Sequence, residues 1–439
     1  MLNGSLVAEK NGCMTDIFFR FVQFALGAYE GKEFLDGSAL RGFNWSAFCE
    51  FAKKQTLMGV VFDGVQRLKK DVAPPLPLLM SWFGVSQKIG QRNNVLNEAT
   101  VAIYRKVVAA GYPCCILKGQ GNAVLYPNPS ARTPGDVDVW VDASREEIRS
   151  LAHMLAKGNN GHVDDESLNH IGLTVNGVTV ELHSTPGFMA SFVYNRRLQR
   201  WLRQNVGAQC RNMVALPDGA GEVAVPTGAF NAVYQLYHLY HHYFYEGVGL
   251  RQVVDYYFVL VKNEERRVKN EERRVKNEER RVKNEERRVK NEEQRVKNEE
   301  RREKNEERRE KNEERRVKNS IALERELKHL GLWTFAGAMM YVLHRVLGLT
   351  EDRMIAPMDS KRGQMLLDDI LHGGNFGHYD QRHAWGRDSF GDKGFKHGAL
   401  GHNLLRLHRD ARLLRFYPAE ALSEPVFRLW HWWWRRGRR

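Results

Sequence analysis

Two aspartates one residue apart, Asp136 and Asp138, stand in the segment GDVDVWV, which otherwise reads as a buried, valine-rich strand. Side chains alternate across a strand, so both acids point to one face while Val137, Val139 and Val141 point to the other. The valines then fill the core and the acids stand together on the open side. Two carboxylates this close repel each other and cannot both ionise cheaply unless a cation sits between them. Mg²⁺ suits that role, since it prefers oxygen ligands and keeps positions for water and substrate phosphates, and a carboxylate set of this kind has room for two ions. The plainer reading makes Asp136 a turn cap and Asp138 an exposed residue of an edge strand.

Two further features favour the chemical reading. Lys118-Gly119-Gln120-Gly121 lies between the apolar run CCILK and a helix-like QGNAVLY, where a lysine and free backbone N–H groups can hold phosphates. Glu181 is flanked by Val180 and Leu182 in VTVELH, a predicted strand, and supplies the third carboxylate that two-metal phosphoryl chemistry commonly uses. Gly135, just before the acid pair, lets a phosphate approach the backbone.

These residues need a sheet to hold them. Beyond Gly111 short apolar runs alternate with turn residues: CCILK, DVDVWV, then HIGLTV and VTVELH around Asn176-Gly177. Asn-Gly adopts the positive φ values of a type I′ turn, so the last two runs are predicted to form a hairpin. From Asp16 to about Val108 the apolar spacing is helical, with a break at APPLPLL, and it is helical again from Thr227 through GAFNAVYQLYHLYHHYFYEG and LRQVVDYYFVLV. The expected fold is α+β: a small mixed-sheet core at 98–225 between an N-terminal helical region at 1–97 and helices at 226–261 and 319–439.

A tandem heptad, KNEERRV, fills Lys262 to Val317, with Glu at 303 and 310 and Gln at 294. It offers one apolar position per heptad at most, too few for a coiled coil. Its Glu–Arg and Glu–Lys spacings support an isolated, solvated helix, which would extend ~84 Å at about 1.5 Å per residue. No catalytic residue is expected in this insertion.

The chain has a formal charge of +14 and five cysteines, an odd number in a chain of 439 residues that needs no disulfide framework. Polyanionic partners suit that charge, whether nucleotides, nucleic acid or anionic lipid. No stretch approaches the roughly 18 uninterrupted apolar residues of a membrane span, and MLNGSLVAEKNG lacks the order of a signal peptide, so a soluble, cytoplasmic protein is expected.

A glycine-containing turn, acid-x-acid on one strand and a lone acid on a later strand resemble the polymerase-β-like nucleotidyltransferase superfamily. More closely, ILKG…LYPNPSARTPGDVDVWV, HIGLTV…VTVELH and HLYHHYFYEGVGLRQVVDYY are similar to an uncharacterised bacterial nucleotidyltransferase family in which Lys-Gly replaces the usual Gly-Ser. The similarity covers about Glu98 to Val261 and resumes near Leu330 and at Asn375-Phe376-Gly377. It implies a catalytic, metal-binding set of Asp136, Asp138 and Glu181, and nucleotide-binding positions at Lys118, Gly119, Arg132 and Gly135. His170 and His183 also match motif positions. The implied activity is Mg²⁺-dependent transfer of a nucleoside monophosphate from an NTP to an unknown acceptor. Two alternatives remain open: a glycosyltransferase using DVD as its nucleotide-sugar clamp, and an inactive nucleotide-binding scaffold.

Three other groups could do chemistry. His238 and His242, one helical turn apart with His241 nearby, could share a metal or pack in a core. Arg251 and Asp255 have the spacing of an intrahelical ion pair, unless Arg251 instead reaches the site. Trp430, Trp432, Trp433 and Trp434, before Arg435, Arg436, Arg438 and Arg439, suit a membrane surface, a nucleic acid or helix packing.

Overall fold

The computed structural model describes residues 15–157, 161–263, 265, 320–379 and 407–436. Most of the heptad repeat, Cys13 and the last three residues lie outside them, and so does the expected long solvated helix.

The N-terminal helices are α1 (15–25), α2 (Lys32–Leu35), α3 (Trp45–Lys54) and α4 (Met58–Val65). Phenylalanines bind them to one another: the Phe21 ring lies 5.2 Å from Phe34 and 5.0 Å from Phe48, both edge-on. The proline-rich break then launches α5 (Leu76–Ala109), a single helix of 34 residues. Near its start Trp82 is buried and donates its indole N–H to the Met58 carbonyl at 2.9 Å. Further along, Val101, Ile103 and Val107 are buried in the core shared with the sheet. The boundary expected at residues 97 and 98 therefore falls inside one helix that serves both regions.

The core is a five-stranded mixed sheet in the order β1-β2-β5-β4-β3. Its strands are β1 (Cys114–Leu117), β2 (Val137–Val141), β3 (His162–Glu166), β4 (Ile171–Val175) and β5 (Val178–His183). Between β1 and β2 lies α6 (Gly119–Ala123), and between β2 and β3 lies α7 (Arg145–Ala156), whose start is fixed by a capping box of Ser144 and Glu147. All pairings are antiparallel except β2 with β5. The β4–β5 hairpin forms as predicted: Val175 pairs with Val178, and Asn176 and Gly177 take φ of 49° and 75°. Not anticipated was a second, two-stranded sheet of β6 (Met213–Leu216) and β7 (Gly221–Ala224) after α8 (Phe192–Gln209).

Helices then close over the sheet: α9 (Gly228–Tyr245), α10 (250–263), α11 (Ser320–His329), α12 (Trp333–Leu347), α13 (Ser360–Gly373), α14 (407–413) and α15 (Pro418–Arg436). Of these, α9 decides the character of the site. Its Phe230 stacks on Trp140 at 5.6 Å, and Trp140 shares the face of β2 that carries the acids. All five residues of β2 are buried as a result. The open face expected for Asp136 and Asp138 is thus closed at Asp138, which is only 2% exposed, while Asp136 stays exposed.

Among the described residues no single helix is long and apolar enough to cross a membrane; α11 and α12 pass that test only as a pair bent by 118°. Cys49, Cys114, Cys115 and Cys210 are free thiols.

Candidate active site

Strand register brings the acids together. Asp138 lies directly across the parallel pair from Glu181, and on its other side opposite Leu117, so that the chain turns into the site at Lys118. That turn is sharp: Lys118 has φ 49° and ψ −139°, a conformation few residues other than glycine adopt. It sends the lysine side chain inward, where Nζ meets Asp138 Oδ1 at 2.8 Å. Asp136 stays at the exposed lip. Carboxylate oxygens of Asp136, Asp138 and Glu181 all lie within 4.8 Å of one another.

Two histidines complete the cluster. His183, on the same face of β5 as Glu181, is buried, with Nε2 3.0 Å from Asp138 Oδ1 and 3.4 Å from Glu181 Oε2. His170, just before β4, brings Nδ1 to 3.5 Å from the same Glu181 oxygen. Burial alone would raise the pKa of Asp138, but the Lys118 charge and the His183 hydrogen bond outweigh it and hold the carboxyl well below the usual range. Burial likewise works against a charged His183, yet hydrogen bonds to Asp138 and Glu181 push it up to about 9. Without a metal ion, an ammonium and an imidazolium supply the positive charge that the carboxylates require.

Among the described residues Asp136 has no such ion-pair partner. The Asp138 charge first, and burial second, push it up to about 6. A set of three hard oxygen donors, one of them destabilised by its neighbours' charge, fits a divalent cation, and Asp136, Asp138 and Glu181 would hold it. The folded protein retains a proton on Asp136 that the unfolded chain has lost between about pH 4 and 6, so its contribution to stability declines as pH rises through that window. In chelator, Asp136→Asn is therefore expected to melt no lower than wild type at pH 7, and higher relative to it than at pH 4. A lower melting temperature for the variant at pH 7 would contradict this electrostatic account.

The cluster forms one end of a cavity of about 810 Å³. Lys118, Gly119, Arg132, Gly135 and His170 line it with the three acids, so the positions implied by the resemblance border the same space. They do not all present the expected atoms. The α6 helix is a single short turn whose residues are all buried, and of it only Gly119 lines the cavity. Arg132 is 2% exposed and gives Nε and Nη2 to the two oxygens of Asp255, both at 2.8 Å. Asp255 accepts a third hydrogen bond from Tyr126 Oη at 2.6 Å. The intrahelical pair expected between Arg251 and Asp255 is consequently not made: the bidentate fork from Arg132 takes both carboxylate oxygens, and Arg251 turns into the cavity.

The opposite wall comes from α9 and α15. His238 and His242 meet through their Nε2 atoms at 3.0 Å, and His242 Nδ1 reaches Glu246 Oε2 at 2.6 Å. No three-ligand metal set among the described residues includes them. Burial holds His238 well below its usual pKa and brings His241 to about 4, as expected of neutral rings in an aromatic wall. Phe427 of α15 stacks on Phe188 at 5.1 Å, so the tryptophan-rich tail begins as a packed helix, although Trp433 farther along is 71% exposed.

A family model described as an uncharacterised nucleotidyltransferase matches residues 41–281. The match begins well before Glu98, in the N-terminal helices, in keeping with the single helix α5 that joins them to the sheet. No curated protein matches the chain.

Proposed function

The chain belongs to the uncharacterised nucleotidyltransferase family, and from that premise we propose that it transfers a nucleoside monophosphate from an NTP to an acceptor with the help of Mg²⁺. The observation that carries this reading is the convergence of Asp136, Asp138 and Glu181 within 4.8 Å at the end of a large cavity. A nucleotide-sugar clamp would use the two aspartates alone and leave the placement of Glu181 unexplained.

Mg²⁺ held by these carboxylates would neutralise charge on the α-phosphate and lower the proton affinity of the attacking group. The chain's own groups supply the rest. Glu181, hydrogen-bonded from one side by His183, is the carboxylate placed beside the attacking oxygen. Lys118 holds Asp138 in its rotamer and keeps a second positive charge at the reacting phosphate. The wall of Tyr234, Tyr237 and His238 restricts water around the phosphate, so that a bound acceptor meets less competition from hydrolysis. Pyrophosphate leaves.

The test is incubation of the protein with Mg²⁺ and each labelled NTP or nucleotide sugar, with cell extract as the source of acceptor. Pyrophosphate release with label in an acceptor is expected. Release of a nucleoside diphosphate from a nucleotide sugar would replace this reading with glycosyl transfer, and NTP binding without turnover under every condition would leave a scaffold.

A further inference from the structure

The cavity has two electrically distinct poles. At one, the carboxylates of Asp136, Asp138 and Glu181 are answered by Lys118 and His183. At the other, the guanidinium groups of Arg132 and Arg251 lie near one carboxylate, Asp255, whose two oxygens are taken by Arg132 and Tyr126. Arg251 forms no ion pair among the described residues. Its Nε is sealed from solvent and has no hydrogen-bond partner, and its one polar contact runs from Nη1 to the Thr133 carbonyl at a long 3.5 Å. Arg132 Nη1 is likewise sealed and unpartnered. Buried donors are ordinarily satisfied, and two without a partner, on adjacent cations that line a cavity, suit an anion.

The surroundings aim this charge. Arg251 is the second residue of α10, and its guanidinium carbon lies 6.0 Å from the centre of the Phe376 ring. Phe376 is presented by the 375–377 turn, which closes on the α9–α10 link where only the absence of side chains at Gly247 and Gly249 allows it: a Cβ on either would come within 2.7 Å of turn backbone. Thr133, which Arg251 contacts, is three residues before Asp136, so the two poles are separated by at most about 10 Å of chain. Along that strip, the position a Gly135 Cβ would take has no atom within 4 Å. A chain of phosphates laid beside residues 133–136 would reach from the carboxylate pole to the guanidinium pole.

We propose that Arg251, together with Nη1 of Arg132, binds the β- and γ-phosphates of the nucleotide, the portion that departs as pyrophosphate. This rests on the nucleotidyl-transfer reading of the same cavity, and it moves the polyphosphate site from Lys118, which the acid cluster occupies, to a residue on a helix more than a hundred positions later. Burial and the Arg132 charge hold Arg251 below the usual guanidinium range, the direction expected of a cation awaiting an anion.

The experiment is calorimetric titration of the full chain with inorganic pyrophosphate, a non-hydrolysable NTP and the matching NMP, each with Mg²⁺ and with chelator. Wild type, Arg251→Gln and Arg251→Lys are compared after their melting curves confirm folding. Arg251→Gln is expected to weaken pyrophosphate and NTP on the order of 10- to 100-fold while changing NMP affinity less than about twofold, and Arg251→Lys to recover part of the loss as a point charge without the fork. Equal pyrophosphate affinity in wild type and a folded Arg251→Gln would overturn the assignment, as would an equal loss for NMP. Failure of the two readings looks different. Arg251-dependent pyrophosphate binding without transfer to any acceptor would keep the subsite and remove the transferase, whereas transfer with unchanged KM in Arg251→Gln would do the reverse.

Discussion

Asp138→Asn is expected to lower nucleotide transfer roughly 10³-fold or more and, unlike Asp136→Asn, to destabilise the protein as well. Both aspartates would bind the metal ion, but only Asp138 is buried between Lys118 and His183. Removing its charge leaves two interior cations with only Glu181 and the more exposed Asp136 to answer them. Breaking a buried pair in this way costs roughly 3–5 kcal/mol, and the lower figure is expected because asparagine keeps one acceptor oxygen. The pH dependence identifies the cause. His183, raised to about 9, contributes stability that is complete below its unfolded value near 6.5 and is lost as pH rises through 9. Melting of the metal-free wild type should therefore decline between those limits, and Asp138→Asn should flatten the decline by returning His183 toward its ordinary value. A variant that lost activity with wild-type stability and an unaltered slope would show that the tetrad of Lys118, Asp138, His183 and Glu181 does not hold the site in the absence of metal.

Asp255→Asn should have the larger effect on folding. Asp255 is 5% exposed and, among the described residues, is the one carboxylate that pairs with the buried Arg132. Its loss leaves two interior guanidinium groups with no carboxylate in direct contact, a cost of roughly 3–5 kcal/mol, plus the hydrogen bond from Tyr126. Urea unfolding of Asp255→Asn, Arg132→Gln and the double variant provides the check. The double variant should be clearly more stable than the sum of the single losses predicts, because each substitution alone strands the partner's charge. Strict additivity would mean that the pair does not act as a unit.

What was legible in the sequence was local. Asn176-Gly177 specifies its own turn, and the alternation in GDVDVWV puts Asp136 and Asp138 on one face whatever surrounds the strand. Glu181 stood out as an acid inside a predicted strand, but the register that sets it beside Asp138 was not legible, being a property of two segments some forty residues apart. Burial of Asp138 was not legible at all, because the residue that closes that face, Phe230, arrives with α9. The spacing of Arg251 and Asp255 pointed to a bond that does not form, since a competitor 123 positions away offers both donors of a planar fork. Short-range pattern cannot weigh a long-range rival.

The two-residue turn at Asn176-Gly177 has a consequence for how this chain can vary in length. Through β5 it sets the phase of a whole strand, with Val178, Val180 and Leu182 on the core side and Glu181 and His183 toward the cavity. One inserted residue that slipped β5 against β2 would exchange the two sets, replacing an acid and an imidazole by valine and leucine without altering a single residue of the site. The link after α10 obeys no such parity: it joins helix to helix, fixes no strand, and there the sequence carries its long run of heptads. Insertions and deletions among relatives should accordingly be frequent between α10 and α11 and nearly absent from the hairpin.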